Sequence, residues 1–284
     1  MSQQVITPEL CEWISEQSRA GHPADSILAA MLGSGWDDTI ARQALARVLG
    51  PSAAPTSSPG SAPGTTAGLP EPDLSRFAPV IDAGDRQVQV VMALRQPRVV
   101  VFGNLLSDEE CDGITALAGR RLARSETVAT GSEGSEVNAA RTSDGMFFER
   151  GETDLIRRIE SRIATLLRWP LDHGEGLQVL RYRPGAEYQP HYDYFEPAHA
   201  STPGILKRGG QRVATLVMYL NTPSAGGSTI FPDIGLDVAP VKGNAVFFSY
   251  DRPHPSTQTL HGGSPVLDGE KWVATKWLRQ GVFT

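Results

Sequence analysis

The stretch LQVLRYRPGAEYQPHYDYF, residues 177–195, is where the sequence changes character. Up to Trp169-Pro170 the apolar residues recur at helical spacing. Beyond it they come in short runs cut by Pro-Gly, Gly-Gly, Lys-Gly and Asp-Gly pairs, the punctuation of strands and turns. The expected strands are 175–182, 191–195, 211–220, 228–231, 236–240, 245–250, 257–261 and 271–278. Several short strands in series predict a mainly β sandwich or jelly-roll barrel. Helices precede the strands instead of alternating with them, which argues against a βαβ fold. No GxGxxG or P-loop pattern occurs, so no nucleotide phosphate cradle is indicated.

Working back from this stretch, Thr153 to Arg168 reads as an amphipathic helix with Leu155, Ile156, Ile159, Ile163, Leu166 and Leu167 on one face. Glycine and serine cluster at 131–135, a loop. Ser107 with Glu110 three residues on is a capping box that opens a helix running to about Leu122. Arg98 to Phe102 is a short strand, and 71–98 shows little order. Residues 50–72 are almost entirely proline, alanine, serine, threonine and glycine, with no apolar face to bury, and form a flexible linker. It separates a small head, 1–49, from a body, 73–284. The head predicts three helices: one after Thr7-Pro8 with Leu10, Trp13 and Ile14 inward, one over 23–32 with Ile27, Leu28 and Met31 inward, and one after Asp37 with Ile40, Ala44, Leu45 and Val48 inward. It fits a tethered module that binds a protein partner, and equally a cap on the body.

The 284 residues carry 26 lysines and arginines against 32 acids, a net charge of -6, with no basic block longer than two residues. That disfavours a nucleic-acid surface. No apolar run reaches the ~18 residues that span a bilayer, and MSQQVITPEL lacks the pattern of a secretory leader. Cys11 and Cys111 make neither a disulfide framework nor a metal cluster. The expected location is cytoplasmic, with no membrane association.

Of six histidines, His191 stands out because Asp193 follows at i+2. In a strand, i and i+2 share a face, so an imidazole and a carboxylate would converge. His261, at the end of a late strand, is a candidate third ligand, and two histidines with one carboxylate make the facial triad of non-haem Fe(II) oxygenases. An HxD pair is also common on solvated strands, and the residues alone leave both readings open. Lys271 opens the mostly apolar strand KWVATKWL. It fits the counter-charge to an anionic co-substrate, or a strand-end lysine with its head in water. Tyr182 and Thr215, on other core strands, are candidate hydroxyl donors to a carboxylate.

Five stretches together resemble the catalytic domain of the prolyl 4-hydroxylase branch of the 2-oxoglutarate- and Fe(II)-dependent dioxygenases. They are LQVLRYRPGAEYQPHYDYF, RVATLVMYLN, GGSTIFP, VAPVKGNAVFFSY and LHGGSPVLDGEKWVATKWL. They occur in the family's order, and with the upstream helices the resemblance covers about 98–280. The head is loosely similar to a ubiquitin-associated-type helical bundle. The resemblance implies a double-stranded β-helix core. It implies that His191, Asp193 and His261 ligate Fe(II), that Lys271 pairs with the distal carboxylate of 2-oxoglutarate, and that Tyr182 and Thr215 share that pocket. Asp193 stands where related halogenases lack a carboxylate, which favours hydroxylation. The reaction implied consumes 2-oxoglutarate and O2, with ascorbate as a candidate reductant, and gives succinate, CO2 and a hydroxylated carbon.

The substrate is less legible. The 194–210 loop carries His199, Lys207 and Arg208, which would meet an acidic group or a peptide backbone, or stay solvated. Arg141 and the Met146-Phe147-Phe148 run are candidates for a second wall, and Trp277 for the substrate side of the last strand. The family resemblance favours a prolyl residue of a peptide or protein. The same chemistry on another residue or a small metabolite, and a non-catalytic barrel that binds protein, stay open.

Overall fold

The computed structural model describes residues 6–19, 24–33, 36, 38–49, 68–76, 78–124, 127–128, 135–136 and 142–284. Contacts divide the chain into two units, Met1–Thr65 and Thr66–Thr284. In the first, α1 (Pro8–Arg19), α2 (Ala24–Gly33) and α3 (Asp38–Leu49) close on a small core. Leu10, Ile14, Ile27, Leu28, Met31, Ala44 and Leu45 are buried in it, and Ile40 and Val48 are half-buried. The Thr7 hydroxyl accepts the Leu10 N–H at 3.3 Å, and Pro8 takes the position where a missing N–H costs nothing.

Most of the expected linker lies outside the described residues. Its last residues belong to the body. Pro70 and Pro72 are buried, the Glu71 N–H donates to the Leu167 carbonyl at 2.9 Å, and the Glu71 carboxylate pairs with Arg98. The body therefore begins before residue 73.

The body is built on two antiparallel sheets. The large one uses β1 (Val80–Asp82), β2 (Gln87–Leu94), β3 (Arg98–Gly103), β4 (Ala123–Arg124), β5 (Asp144–Phe148) and β6 (Leu177–Tyr182). The small one begins with β7 (Tyr188–His191). The chain then passes between the two: β8 (Arg212–Tyr219) is in the large sheet, β9 (Thr229–Phe231) and β10 (Leu236–Val238) in the small one, β11 (Ala245–Ser249) in the large, β12 (His261–Gly263) in the small and β13 (Lys271–Arg279) in the large. The large sheet runs β1-β2-β3-β11-β8-β13-β6-β5-β4, the small one β10-β9-β12-β7. Phe231 of the small sheet meets Phe248 of the large one edge-on, ring centroids 5.2 Å apart, inside a core that also holds Leu180, Tyr219, Val238 and Val273. This is the jelly-roll arrangement.

The other face of the large sheet is covered by α4 (Asp108–Gly119) and α5 (Asp154–Leu167). Every residue of β13 is buried, and the two-residue period sorts them. Trp272, Ala274 and Leu278 join the helix-side core with Ile156, Ile159 and Ile163, and Lys276 reaches Glu160 of α5 at 2.5 Å. Lys271, Val273, Thr275 and Trp277 face the interior cleft.

The expected capping box is present. The Ser107 hydroxyl accepts the Glu110 N–H and the Glu110 carboxylate accepts the Ser107 N–H. The same carboxylate also receives two bonds from Arg162 of α5, at 2.7 and 2.8 Å, and Arg162 continues to Asp85. One residue thus caps α4 and ties it to α5. Ser107→Ala should cost about 1 kcal/mol and lower the melting temperature by roughly 2–4 °C for a body of this size. An unchanged melting temperature would show that the cap carries no weight.

Three expectations are corrected. The 71–98 region holds β1 and β2. The expected strand 191–195 ends at His191, and the residues after it form a bend. The expected strand 257–261 is instead a short helical turn at Pro255–Thr257 followed by β12 starting at His261.

Candidate active site

His191 closes β7 and His261 opens β12, and the pairing of those strands sets the two directly opposite each other. Their ring centroids are 4.4 Å apart. Gly262, next to His261, sits where an added Cβ would lie 2.8 Å from the Tyr188 carbonyl, so glycine is what lets the two strands close. Tyr188 stacks on the His191 ring at 3.8 Å.

Asp193 stands in the bend beyond β7, 7% exposed, between the two imidazoles. Its Oδ1 is 3.5 Å from His191 Nε2 and its Oδ2 3.4 Å from His261 Nε2. One donor atom from each of the three lies within 4.8 Å of the others.

Both rings are held the same way. His191 Nδ1 meets the Gln189 carbonyl at 2.9 Å and His261 Nδ1 meets the Thr259 carbonyl at 3.0 Å. A carbonyl only accepts, so each Nδ1 carries the proton and each Nε2 keeps its lone pair. Burial, then the neighbouring His261, pushes His191 below its ordinary value and keeps it neutral. Two neutral nitrogens and one carboxylate suit a divalent iron with coordination positions left open.

The facing wall comes from the period-two face of the large sheet. Lys271, Val273 and Thr275 of β13 are in register with Tyr182, Leu180 and Gln178 of β6, and all six line the same cleft as the triad. Lys271 is 4% exposed. Its ammonium lies 5.7 Å from the Tyr182 ring and 5.9 Å from the Tyr219 ring, and among the described residues no carboxylate pairs with it. Burial lowers it to about 8. Among the described residues, Arg212 and Arg181 on neighbouring strands do not compete for that role, since each is already matched and Arg181 lies on the opposite face of β6. Arg212 binds both oxygens of Glu175 at 2.7 and 2.9 Å and lies 3.9 Å over the Trp277 ring. Arg181 binds Asp144 at 2.7 Å. A buried ammonium without a counter-ion fits a carboxylate ligand on the cleft side.

Thr215 does not line the cleft with Tyr182. Its hydroxyl donates to Asp193 Oδ2 at 2.7 Å and lies 3.1 Å from the Tyr250 hydroxyl, so its one proton is committed behind the triad. This corrects the expectation that it shares a co-substrate pocket. His199 is also displaced: its Nδ1 bonds the Ser201 hydroxyl at 2.8 Å within its own turn, away from the cleft-lining residues. Arg141 lies outside the described residues. Trp277 lines the cleft, 6.4 Å between ring centroids from the exposed Phe147 of β5.

Sequence reasoning missed Tyr250, the Gln189 and Thr259 carbonyls, Gln178 and the Glu175–Arg212 pair. Gln178 was within reach, because it continues the alternation of Leu180 and Tyr182. The Gln189 and Thr259 carbonyls each lie two residues before the histidine they hold, but backbone groups carry no mark in a sequence; Tyr250 and the Glu175–Arg212 pair come from elements distant in sequence.

The 2OG-Fe(II) oxygenase superfamily model matches residues 177–279. The chain is 39% identical over 221 residues to probable prolyl 4-hydroxylase 3 of Arabidopsis thaliana, covering 70% of this chain and 75% of that one. It is 41% identical over 230 residues to prolyl 4-hydroxylase 1 of the same plant, 73% and 79% of the two chains. Among solved structures it is similar to the viral collagen prolyl hydroxylase of Paramecium bursaria Chlorella virus-1 in complex with 2OG. That match has 31% identity and a TM-score of 0.50, over 64% of this chain and 95% of that one.

Proposed function

The chain belongs to the prolyl 4-hydroxylase family of the 2OG-Fe(II) oxygenase superfamily, and from that premise we propose that it hydroxylates prolyl residues of a peptide or protein. It is a 2-oxoglutarate-dependent dioxygenase that uses Fe(II), 2-oxoglutarate and O2.

In this reading His191, Asp193 and His261 hold the iron, and Lys271 pairs with the distal carboxylate of 2-oxoglutarate beside Tyr182. When bound, the iron and co-substrate supply the oxidising chemistry that an unactivated C–H bond requires and side chains do not. The protein's residues do the placing. The Nδ1–H···O=C bonds fix both imidazoles with Nε2 toward the ion. Lys271 sets the co-substrate's depth, and Trp277 with Phe147 stands on the side where a peptide would enter. The observation that carries the reading is the buried Lys271 ammonium on the wall facing the triad, with which no carboxylate among the described residues pairs.

The head, 1–49, is proposed as a tethered module for a protein partner, carried on the proline-rich 50–72 segment. The compartment is proposed to be the cytoplasm, which the two free cysteines support. Among the described residues no helix is long and apolar enough to cross a membrane.

The test is succinate release by the iron-loaded protein with ascorbate present, with and without proline-containing peptides. Peptide-stimulated release, with a mass increase of one oxygen on proline, is the expected result. Release that no peptide stimulates, lost in His191→Ala, would keep the chemistry and overturn the peptidyl substrate.

A further inference from the structure

We infer that Thr215 and Tyr250 are positioning residues for Asp193: a two-hydroxyl chain that holds one carboxylate oxygen in place and so fixes how the other is offered to a metal ion. The inference rests on the reading of Asp193 as an iron ligand.

The direction of the chain follows from proton counting. An ionised carboxylate only accepts, and a threonine hydroxyl has one proton to give. Thr215 therefore donates to Asp193 Oδ2, 2.7 Å away. Its remaining contact, the Tyr250 hydroxyl at 3.1 Å, must then be a bond that Tyr250 donates. Tyr250 keeps the proton it needs for this, because burial and the nearby Asp193 charge raise its pKa well above the usual tyrosine value. Thr215 is 0% exposed and Tyr250 2%, so water does not substitute for either hydroxyl.

The three groups come from three places. Thr215 is on β8, Tyr250 follows β11, and the pairing of those strands sets Thr215 opposite Phe248. Asp193 lies past the end of β7 in a bend, so no strand ladder orients its side chain. The hydroxyl chain supplies that restraint from the large sheet. Rotating the carboxylate would break a buried, charge-assisted hydrogen bond. With Oδ2 held, Oδ1 keeps both its lone pairs for an ion. A carboxylate free to rotate would be able to chelate through both oxygens and close a position the reaction needs open.

Thr215→Val keeps the shape and removes the donor. The probe is Co(II) alone, followed by titration calorimetry and by its visible absorption, which reports ligand number and geometry. Thr215→Val should bind Co(II) about tenfold more weakly or worse, as expected for loss of a group that supports a ligand, and with a shifted spectrum. Thr215→Ser should restore both, and Tyr250→Phe should show a smaller change of the same kind. Wild-type affinity and spectrum in Thr215→Val would overturn the inference. If Thr215→Val fails to fold, Tyr250→Phe decides, and an unchanged spectrum there overturns the chain. Asp193→Ala separates the two levels: undiminished Co(II) binding in that variant would remove Asp193 from the ligand set, whatever Thr215 does.

Discussion

Alanine in place of His261 should leave a folded protein that holds no iron and releases no succinate. The reasoning is local. His261 supplies one of three donor atoms that lie within 4.8 Å of one another, and among the described residues no other histidine or cysteine joins that group. Groups that merely support a ligand cost 10–100-fold in metal affinity when removed, so loss of a ligand should cost more than about 100-fold. The ring is 5% exposed and packs against Phe248 at 4.5 Å and Phe231 at 6.0 Å, so some stability is lost as well. Circular dichroism separates the effects, since the sheet signal should persist while calorimetry with Mn(II) shows no binding. Retention of metal at wild-type affinity would exclude His261 from the site.

Lys271→Met should raise the apparent dissociation constant for 2-oxoglutarate by about 100-fold while leaving metal affinity within about twofold. Methionine keeps the stem that packs against Gly227, where an added Cβ would lie 3.2 Å from Lys271 Cδ, and removes only the charge. A hydrogen-bonded charge contact is worth about 1.5–3 kcal/mol, and the upper end of that range is roughly a hundredfold. The ammonium also predicts a pH dependence. It falls to about 8 by burial, so the wild-type affinity for 2-oxoglutarate should decline as pH rises through about 8, and the decline should be missing in Lys271→Met. Unfolding does not explain such a decline. The ordinary lysine value is 10.5, so between about 8 and 10.5 the unfolded chain binds more protons than the folded one, and stability rises with pH across that window. Equal affinity at pH 7 and 9.5 would show that Lys271 is not the counter-charge.

The order of elements in the body could be read from turn residues and periodicity, because those signals are local. The Ser107–Glu110 box and the stripe on α5 are cases where four to fourteen residues contain their own explanation. The strand β2 was harder. Gln87-Val88-Gln89-Val90 alternates, but it runs into Val91-Met92-Ala93-Leu94, and only Val88 is fully buried, so its pattern has little contrast even though β1 and β3 pair with it on both sides. Within the site, His191, Asp193 and His261 were the residues singled out, though not for the right geometric reason. Asp193 does not share a strand face with His191. The two converge because the chain bends after β7 and because β12 sets His261 opposite His191. Thr215 and Tyr182 look alike in sequence, as hydroxyls on core strands. Only the pairing of β8 with β11 and the position of the bend tell that one faces the cleft and the other backs the carboxylate.

The place of β13 has a consequence for how the protein is made. It lies in the middle of the large sheet, between β8 and β6, yet it is the last strand of the body to be synthesised. Until residue 279 has left the ribosome, β6 and β8 each present an open edge and the cleft lacks the wall that bears Lys271. Long-range strand pairing of this kind is slow, and the unpaired edges are sticky while it is pending. A nascent chain arrested before 271 should therefore be a client of chaperones and a target of proteases. The iron ligands would be translated but have no finished pocket to sit in, so metal loading should wait until β13 has emerged and paired with its neighbours.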